Sequence, residues 1–418
     1  MHDIIFEHNQ NNVFIIQVFV MAGSAFESSG EHGLSHLLEH MMFKSKKNLP
    51  VEKLLIRLNS LGGVFNAITN KDYTCYYIRT IDRNWIESVN ILKTIVLEPY
   101  FLQKDLDKER KVVIEEYLQY EDDVKDKAFS IAYNGFLPKD SPYHHSVKGN
   151  LNDIRNTDLK KLRKYYDAHY GKIMLYVNCK AGLKNEAKTY IRKVFANQIC
   201  NFESNVRSFP TAIKIKTGPI IKIIPDTTRS QNASVIMFNG FAHNNNKNLT
   251  LSLVWNILVG SLNSLLMLEM REKRGLVYSI ASFNDACYNT GFTGIYFSSS
   301  ANDIQIIISR IFKILKRLCI KGLSKDILTY SKASYINKLE YKLTDLDFRS
   351  ERSMLRYFYN CKWDETYILR HLRRITNDKI IKVCNEVFNI NHLCVVSIGK
   401  YTKPEKLEKN IKNVLLKY

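Results

Sequence analysis

The sequence lacks clustered cysteines, because its 8 cysteines are spread over 418 residues with no CxxC pair. That distribution argues against a cysteine-ligated zinc site and gives no disulfide framework. Long hydrophobic runs are also missing: the most apolar early stretch, NVFIIQVFVMAG from Asn12, is far shorter than the ~20 residues of a membrane span. We therefore expect a buried strand there, no membrane span, and a cytoplasmic, bacterial protein, with an organellar matrix as the alternative.

Acidic residues are scarce relative to basic ones, with 41 Asp+Glu against 61 Lys+Arg and a net charge of +20. Such an excess attracts nucleic acid, anionic lipid or acidic peptides through long-range electrostatic steering. The lysines are nevertheless scattered, and the sequence has no polybasic block with interleaved aromatics and no zinc-finger or RNP-like run. We therefore predict no nucleic-acid partner.

What the sequence does contain is an alternation of strand and helix patterns. FIIQVFVMAG and TCYYIRTI are typical of strands, whereas NWIESVNILKTIVLEPY follows the helical period. The stretch ESNVRSFPTAIKIKTGP loses that period and carries turn formers at Pro210 and Gly218. Since the chain is too long for one typical core, we place a boundary there and predict domains 1–207 and 208–418.

A weak internal repeat supports this division. TDLKKLRKYYDAHYGKIMLYVN from Thr157 and TNDKIIKVCNEVFNINHLCVVS from Thr376 share a Thr N-cap, an amphipathic helix and a closing apolar strand. Their offset, 376 − 157 = 219, is about half the chain. The match could be chance, since a capped helix followed by a strand is common. We predict two tandem, similar α+β domains, each an antiparallel or mixed sheet with helices on one side.

The stretch GEHGLSHLLEHMMF predicts a helix with His36, Glu39 and His40 on one face. The complementary face is an apolar stripe that pins the helix to a core and consists of Leu34, Leu37, Leu38, Met41 and Met42. HxxEH is a zinc-peptidase signature, in which two histidines bind the metal and the Glu activates water. A solvated polar face is the alternative, since a chance match is expected on the order of once per hundred such chains.

A catalytic zinc usually has a third protein ligand, and the predicted helix DLDKERKVVIEEYLQYEDD offers candidates. Glu109 and Glu116 fall on the same arc as Val112, Val113 and Tyr120, whereas Glu115 falls on the polar arc. A carboxylate within an apolar arc needs a metal, a histidine or a cation, so the periodicity favours Glu116 over Glu115. A structural salt bridge to Arg or Lys remains the alternative.

These motifs together resemble the pitrilysin-type (M16) zinc peptidases, in particular the mitochondrial processing peptidase β subunit and its bacterial relatives. HxxEH is followed by Glu116 at 116 − 40 = 76 positions, within ERKVVIEE. FVMAGSAFE, LGGVFNAITNKDYTCYY and MREKRGLVYS also fit the family pattern in order and spacing. The usual opening hairpin is shortened to MHDIIFEHN, which predicts either the loss of an edge strand or a misassigned start.

The resemblance implies a role for each residue of the first motif. His36, His40 and Glu116 would ligate one Zn²⁺ per chain. Glu39 would be the general base that takes a proton from the attacking water and passes it to the leaving amine. Glu109 would be an acid that supports the site from behind the ligands.

The resemblance also implies substrate contacts. Asn66 and Ala67 would lie on an exposed strand edge where a peptide adds as an extra strand. Arg271 and Tyr278 would approach the substrate carbonyl and the developing oxyanion. Without the resemblance, the stretch around Arg271 is a basic last helical turn closed by Gly275 and followed by a strand.

Members of the family with this length form half of a clamshell. Because this chain carries both the zinc motif and the Arg/Tyr pair, we expect a homodimer in which each subunit completes the other's site, with an inactive homologue as the alternative partner. The expected function is a zinc metalloendopeptidase that hydrolyses peptides or unfolded, presequence-like segments in an enclosed chamber. The alternative is a non-catalytic core subunit of the same fold.

Overall fold

The computed structural model describes residues 4–199, 213 and 215–418. Over these residues the chain forms ten strands. They are β1 (Ile4–Asn9), β2 (Val13–Val20), β3 (Val64–Thr69), β4 (Thr74–Ile81), β5 (Ile173–Lys180), β6 (Ile220–Pro225), β7 (Asn232–Asn239), β8 (Val277–Ala286), β9 (Gly291–Ser299) and β10 (Leu393–Gly399). The strands predicted from FIIQVFVMAG and TCYYIRTI are confirmed as β2 and β4.

The same residues form fifteen α-helices. They are α1 (Leu34–Met42), α2 (Val51–Ser60), α3 (Trp85–Leu97), α4 (Gln103–Asp122), α5 (Val124–Phe136), α6 (Leu151–Arg155), α7 (Leu159–His169), α8 (Lys184–Phe195), α9 (Lys247–Val259), α10 (Ile304–Lys321), α11 (Lys325–Lys342), α12 (Leu346–Phe358), α13 (Glu365–Arg373), α14 (Asn377–Val387) and α15 (Pro404–Leu415). A π-helical segment, Met267–Glu272, precedes β8. In the described part of the chain, none of the helices has the length and hydrophobicity that crossing a membrane requires.

The strands form two five-stranded sheets with the same order. The first runs β1-β5-β2-β4-β3 and the second β6-β10-β7-β9-β8. In each sheet the first strand is parallel to its neighbour, and the remaining pairs are antiparallel. The prediction of two similar α+β domains with mixed sheets is confirmed. The opening strand is present, since β1 pairs with β5 at the edge of the first sheet.

The described chain divides into two compact units, each containing one sheet. One comprises the described residues of Met1–Tyr120, His145–Phe209 and Ser350–Phe358, and the other those of Glu121–His144, Pro210–Arg349 and Tyr359–Tyr418. Helix α5 belongs with the second sheet and packs on β7 and β10. The predicted boundary between residues 207 and 208 lies outside the described residues.

The helices of the two repeat copies have different N-cap residues. Helix α14 is capped by Thr376, whose hydroxyl accepts an amide of the first turn. The predicted cap of the first copy, Thr157, is wrong, because Asp158 accepts the Lys161 amide at 2.7 Å. Thr157 instead donates its hydroxyl to the Asp153 carbonyl at 2.9 Å. A carboxylate is the better partner for a helix N-terminus because it also complements the helix dipole.

The apolar stripe of α1 is buried, as predicted, in the core of the first unit. All five of its members are at most 2% exposed: Leu34, Leu37, Leu38, Met41 and Met42. Burial of each such side chain stabilises the fold by about 1.5–3 kcal/mol. Rotating α1 by one residue, about 100°, would expose most of that stripe. The opposite face of α1 therefore has a fixed orientation.

Two glycines allow the loop before α6 to lie against the start of α1. Gly33, the N-cap of α1, has φ +97°, and Gly149 has φ +72°. A Cβ on Gly149 would lie 2.2 Å from the His32 carbonyl oxygen and 2.4 Å from the Gly33 Cα. Both the left-handed backbone and the close approach therefore require glycine at position 149. This contact holds the neighbouring Lys148 beside α1.

Replacing Gly149 with Ala is expected to lower the free energy of unfolding by about 1–3 kcal/mol, the usual cost of backbone strain. Gly182→Ala is the matched control, because a Cβ there meets nothing within 4 Å and the backbone is not left-handed. Chemical denaturation followed by circular dichroism measures both variants. Equal unfolding midpoints for the two would show that the close approach is not required.

Candidate functional site

Helix α1 presents His36 and His40 on one face, with their ring centroids 4.8 Å apart. Its first turn is held by Glu27, whose carboxylate accepts the backbone amides of Gly33 at 2.9 Å and Ser35 at 2.8 Å. These bonds satisfy two amides that a helix N-terminus otherwise leaves unpaired. The two histidines are therefore fixed by buried side chains below them and by a cap at the start of the helix.

Glu116, on α4, brings a third donor to the two histidines. Its Oε2 lies 3.6 Å from His36 Nε2, and its Oε1 lies 3.6 Å from His40 Nε2. One donor atom from each of the three residues lies within 4.8 Å of the others. Tetrahedral zinc with bonds of 2.0–2.2 Å separates its ligand atoms by about 3.4 Å. The donor set therefore fits a zinc ion.

The protonation of His36 suits a metal ligand. Burial, followed by the nearby Lys148 charge, lowers the pKa of His36 to about 3. The ring is therefore neutral at physiological pH, and a neutral imidazole is the form that binds metals. Its Nδ1 is buried and has no hydrogen-bond partner among the described residues.

Glu109 contacts the far side of His40. Its Oε2 lies 3.1 Å from His40 Nδ1, and its Oε1 accepts from Lys44 Nζ at 2.6 Å. Burial raises the pKa of Glu109, but the hydrogen bonds from His40 and Lys44 outweigh that effect and leave it below its usual value. An ionised Glu109 holds the proton of His40 on Nδ1 and so leaves the Nε2 lone pair free.

Glu39 lies on the turn between the two histidines. Thr69, the last residue of β3, donates its hydroxyl to Glu39 Oε2 at 2.5 Å. Burial raises the pKa of Glu39, while the Thr69 hydrogen bond and the charges of His40 and Lys148 oppose the rise. A raised pKa brings a carboxylate closer to the value at which it both accepts and returns protons near neutral pH.

Lys148 contacts the same donor atoms. Its Nζ donates to Glu116 Oε2 at 2.6 Å and lies 3.2 Å from His36 Nε2. Its side chain is 30% exposed, so the ammonium reaches solvent on one side. The site thus contains a cation from the chain itself.

The predicted substrate strand is an edge strand. β3 pairs only with β4 among the described strands, which leaves its other edge open. Asn66 is exposed and Ala67 is buried on this strand. Val64 and Ile68 are apolar and exposed, at 54% and 48%. Open backbone groups beside exposed apolar side chains fit the addition of an extended peptide.

Arg271 and Tyr278 lie in the second unit. Arg271 is exposed in the π-helical segment, and Gly275, with φ +60°, donates its amide to the Arg271 carbonyl at 2.9 Å. Tyr278 is 60% exposed on β8, an edge strand of the second sheet. Their approach to a substrate carbonyl and to the developing oxyanion remains a prediction.

Lys148 and Thr69 contact the candidate site, and the sequence patterns predicted neither. Lys148 lies in a loop without periodicity, so nothing in the sequence relates it to His36 or Glu116. The sequence could have indicated Thr69, because strand alternation places it on the same face of β3 as the buried Ala67. The predicted arc of α4 is also wrong in part: Val112 is 45% exposed, since it lies at the rim of the arc, about 60° from Glu109.

The chain matches two family descriptions. Residues 3–137 match "Insulinase (Peptidase family M16)", and residues 156–335 match "Peptidase M16 inactive domain". The donor set of His36, His40 and Glu116 lies within the first match.

Several curated proteins are similar over most of the chain. A Rickettsia bellii protein named as an uncharacterized zinc protease is 24% identical over 90% of this chain and 90% of its own length. A Bacillus subtilis protein with the same description is 25% identical over 81% of each. The Caenorhabditis elegans mitochondrial-processing peptidase subunit beta is 23% identical over 73% of this chain and 68% of its length.

Solved structures share the fold. A Helicobacter pylori protease superposes with a TM-score of 0.85 at 20% identity and covers 94% of this chain and 96% of its own. A Pseudomonas fluorescens chain described as a peptidase M16 inactive domain gives 0.83 at 17% identity and covers 95% of each. From the two domain matches and these relatives, we conclude that the chain belongs to the pitrilysin-type (M16) peptidase family.

Proposed function

We propose that this protein is a zinc-dependent endopeptidase that hydrolyses peptides or unfolded, presequence-like segments. The observation that carries the proposal is the convergence of His36, His40 and Glu116 donor atoms within 4.8 Å, with Glu39 on the same helix. Relatives named as zinc proteases support both the metal and the reaction class. The Lys148–Glu116 ion pair at 2.6 Å is the salt bridge of the alternative explanation, but it involves neither His40 nor Glu39.

Each side chain has a defined part in this reaction. When bound, zinc would polarise the scissile carbonyl and make water more acidic. Glu39 accepts a proton from the attacking water and later returns it to the leaving amine, while Thr69 fixes one of its oxygens. Glu109 keeps the His40 ring oriented throughout.

The substrate would bind along β3 in an enclosed chamber. An extended peptide would pair with the open edge of β3 near Asn66 and Ala67, in the manner of an added strand. Arg271 and Tyr278 of a second copy would contact the carbonyl under attack. Their exposure on the second unit leaves both side chains accessible to a partner, so we propose a homodimer, with an inactive homologue as the alternative partner.

Glu39→Gln is expected to keep one zinc per chain and to lower peptide hydrolysis by about 10²–10⁴-fold, because the amide cannot take a proton. Elemental analysis and cleavage of a fluorogenic peptide library measure the two effects. A non-catalytic core subunit, the alternative function, predicts that wild type and variant both lack turnover. Equal turnover in the two proteins would contradict the role of Glu39.

Glu116→Gln is expected to weaken zinc binding by more than about a hundredfold, since even residues behind the ligands contribute ten- to a hundredfold. Glu115→Gln is the matched control, because the Glu115 carboxylate is exposed and makes no contact with the two histidines. Zinc competition with a chromophoric chelator measures both. Similar affinities for the two variants would remove Glu116 from the ligand set.

Mixing Glu39→Gln subunits with Arg271→Ala subunits is expected to restore about one quarter of wild-type activity. Half of the exchanged dimers are mixed, and each mixed dimer has one intact site of two. The measurement is peptide cleavage after subunit exchange, compared with each variant alone. Activity equal to the sum of the separate variants would show that the sites are not shared between subunits.

A further inference from the structure

Lys148 is the nearest cation to the donor atoms of the site among the described residues. Its ammonium lies 2.6 Å from Glu116 Oε2 and 3.2 Å from His36 Nε2. Glu116 Oε2 and His36 Nε2 lie 3.6 Å apart, so both would face a metal bound between them. The ammonium hydrogens therefore occupy the lone pairs with which these two residues would ligate zinc.

The backbone holds Lys148 in this place. Gly149 packs against Gly33 at the start of α1, and the Asn150 amide reaches the His32 carbonyl at 3.4 Å. On the other side, the Lys148 amide donates to Ser146 Oγ at 3.2 Å. The position of the lysine is thus set by the same helix that carries both histidines.

The Lys148 side chain is also free to leave. It is 30% exposed, and it reaches Glu116 and His36 through its terminal Nζ. Rotation about its side-chain bonds moves the ammonium into solvent without disturbing the loop backbone. The contact therefore joins a partly exposed cation on a flexible four-carbon side chain to donors held on helices α1 and α4.

We propose that Lys148 is an internal competitor for the metal site, whose ammonium must leave Glu116 and His36 before a divalent ion binds. This inference rests on the proposed function, since it assumes that these residues ligate zinc. The chain thereby keeps its donor atoms paired and in place, and it binds the metal more weakly than the bare ligand set would.

The competition follows from charge and geometry. An ammonium and a Zn²⁺ cannot share the Glu116 Oε2 and His36 Nε2 lone pairs, because two cations within a few ångströms repel. The apparent dissociation constant for zinc is then the intrinsic one divided by the fraction of molecules in which Lys148 has moved away. A hydrogen bond to a charged group is strong enough to change that fraction by about ten- to a hundredfold.

The test compares zinc affinity in the full-length metal-free protein at one pH and ionic strength. Lys148→Met keeps the length of the side chain and removes its charge. Lys111→Met is the matched control, because it removes an equal charge from the exposed face of α4, the helix that carries Glu116. Competition with a chromophoric chelator gives the dissociation constants, and circular dichroism melting confirms folding. Lys148→Gln serves if the Met variant unfolds.

We expect Lys148→Met to bind zinc about ten- to a hundredfold more tightly than wild type, and Lys111→Met to change affinity by less than about fivefold. If wild type binds one zinc and both variants match it within that margin, this inference is overturned and the proposed function stands. If neither wild type nor Lys148→Met binds zinc, this inference and the proposed function are both overturned.

Discussion

The convergence of three electron-rich donors on one point is the constraint on which the rest of this structure depends. His36, His40 and Glu116 place their donor atoms within 4.8 Å of one another, and a cation beside such a group of lone pairs stabilises it. The fold supplies the rigidity for this arrangement through the buried stripe of α1. It also supplies a resident positive charge, Lys148, and an outer carboxylate, Glu109, that fixes one ring.

The same sheet order occurs twice, yet a cluster of metal-binding side chains occurs once among the described residues. Helix α9 stands in the second half where α1 stands in the first, and an offset of 219 places Trp255 opposite His36 and Val259 opposite His40. Trp255 is 4% exposed and donates to Thr293 at 2.6 Å. The second half therefore uses this helix to fill its core, which explains why no second cluster of donors is found among the described residues.

The sequence predicted the structure correctly where residues are related by the helical or strand period. The helical period located His36 and His40, the same period chose Glu116 over Glu115, and the strand patterns located β2 and β4. It failed where the structure depends on tertiary contact. Lys148 reaches the site because its neighbour Gly149 packs against Gly33, and no local sequence pattern indicates that contact. The prediction of Thr157 as an N-cap was wrong for another reason. Thr157 and Asp158 are adjacent and both residue types cap helices, so the sequence alone does not distinguish them.

Thr69 links the edge of the first sheet to the Glu39 carboxylate. It is the terminal residue of β3, whose outer edge is open, and its hydroxyl holds one oxygen of Glu39. The carboxylate is thus tethered to the strand at the rim of the sheet as well as to its own helix. A shift of that edge strand turns the carboxylate, so the orientation of Glu39 depends on whatever straightens or bends the edge of the sheet.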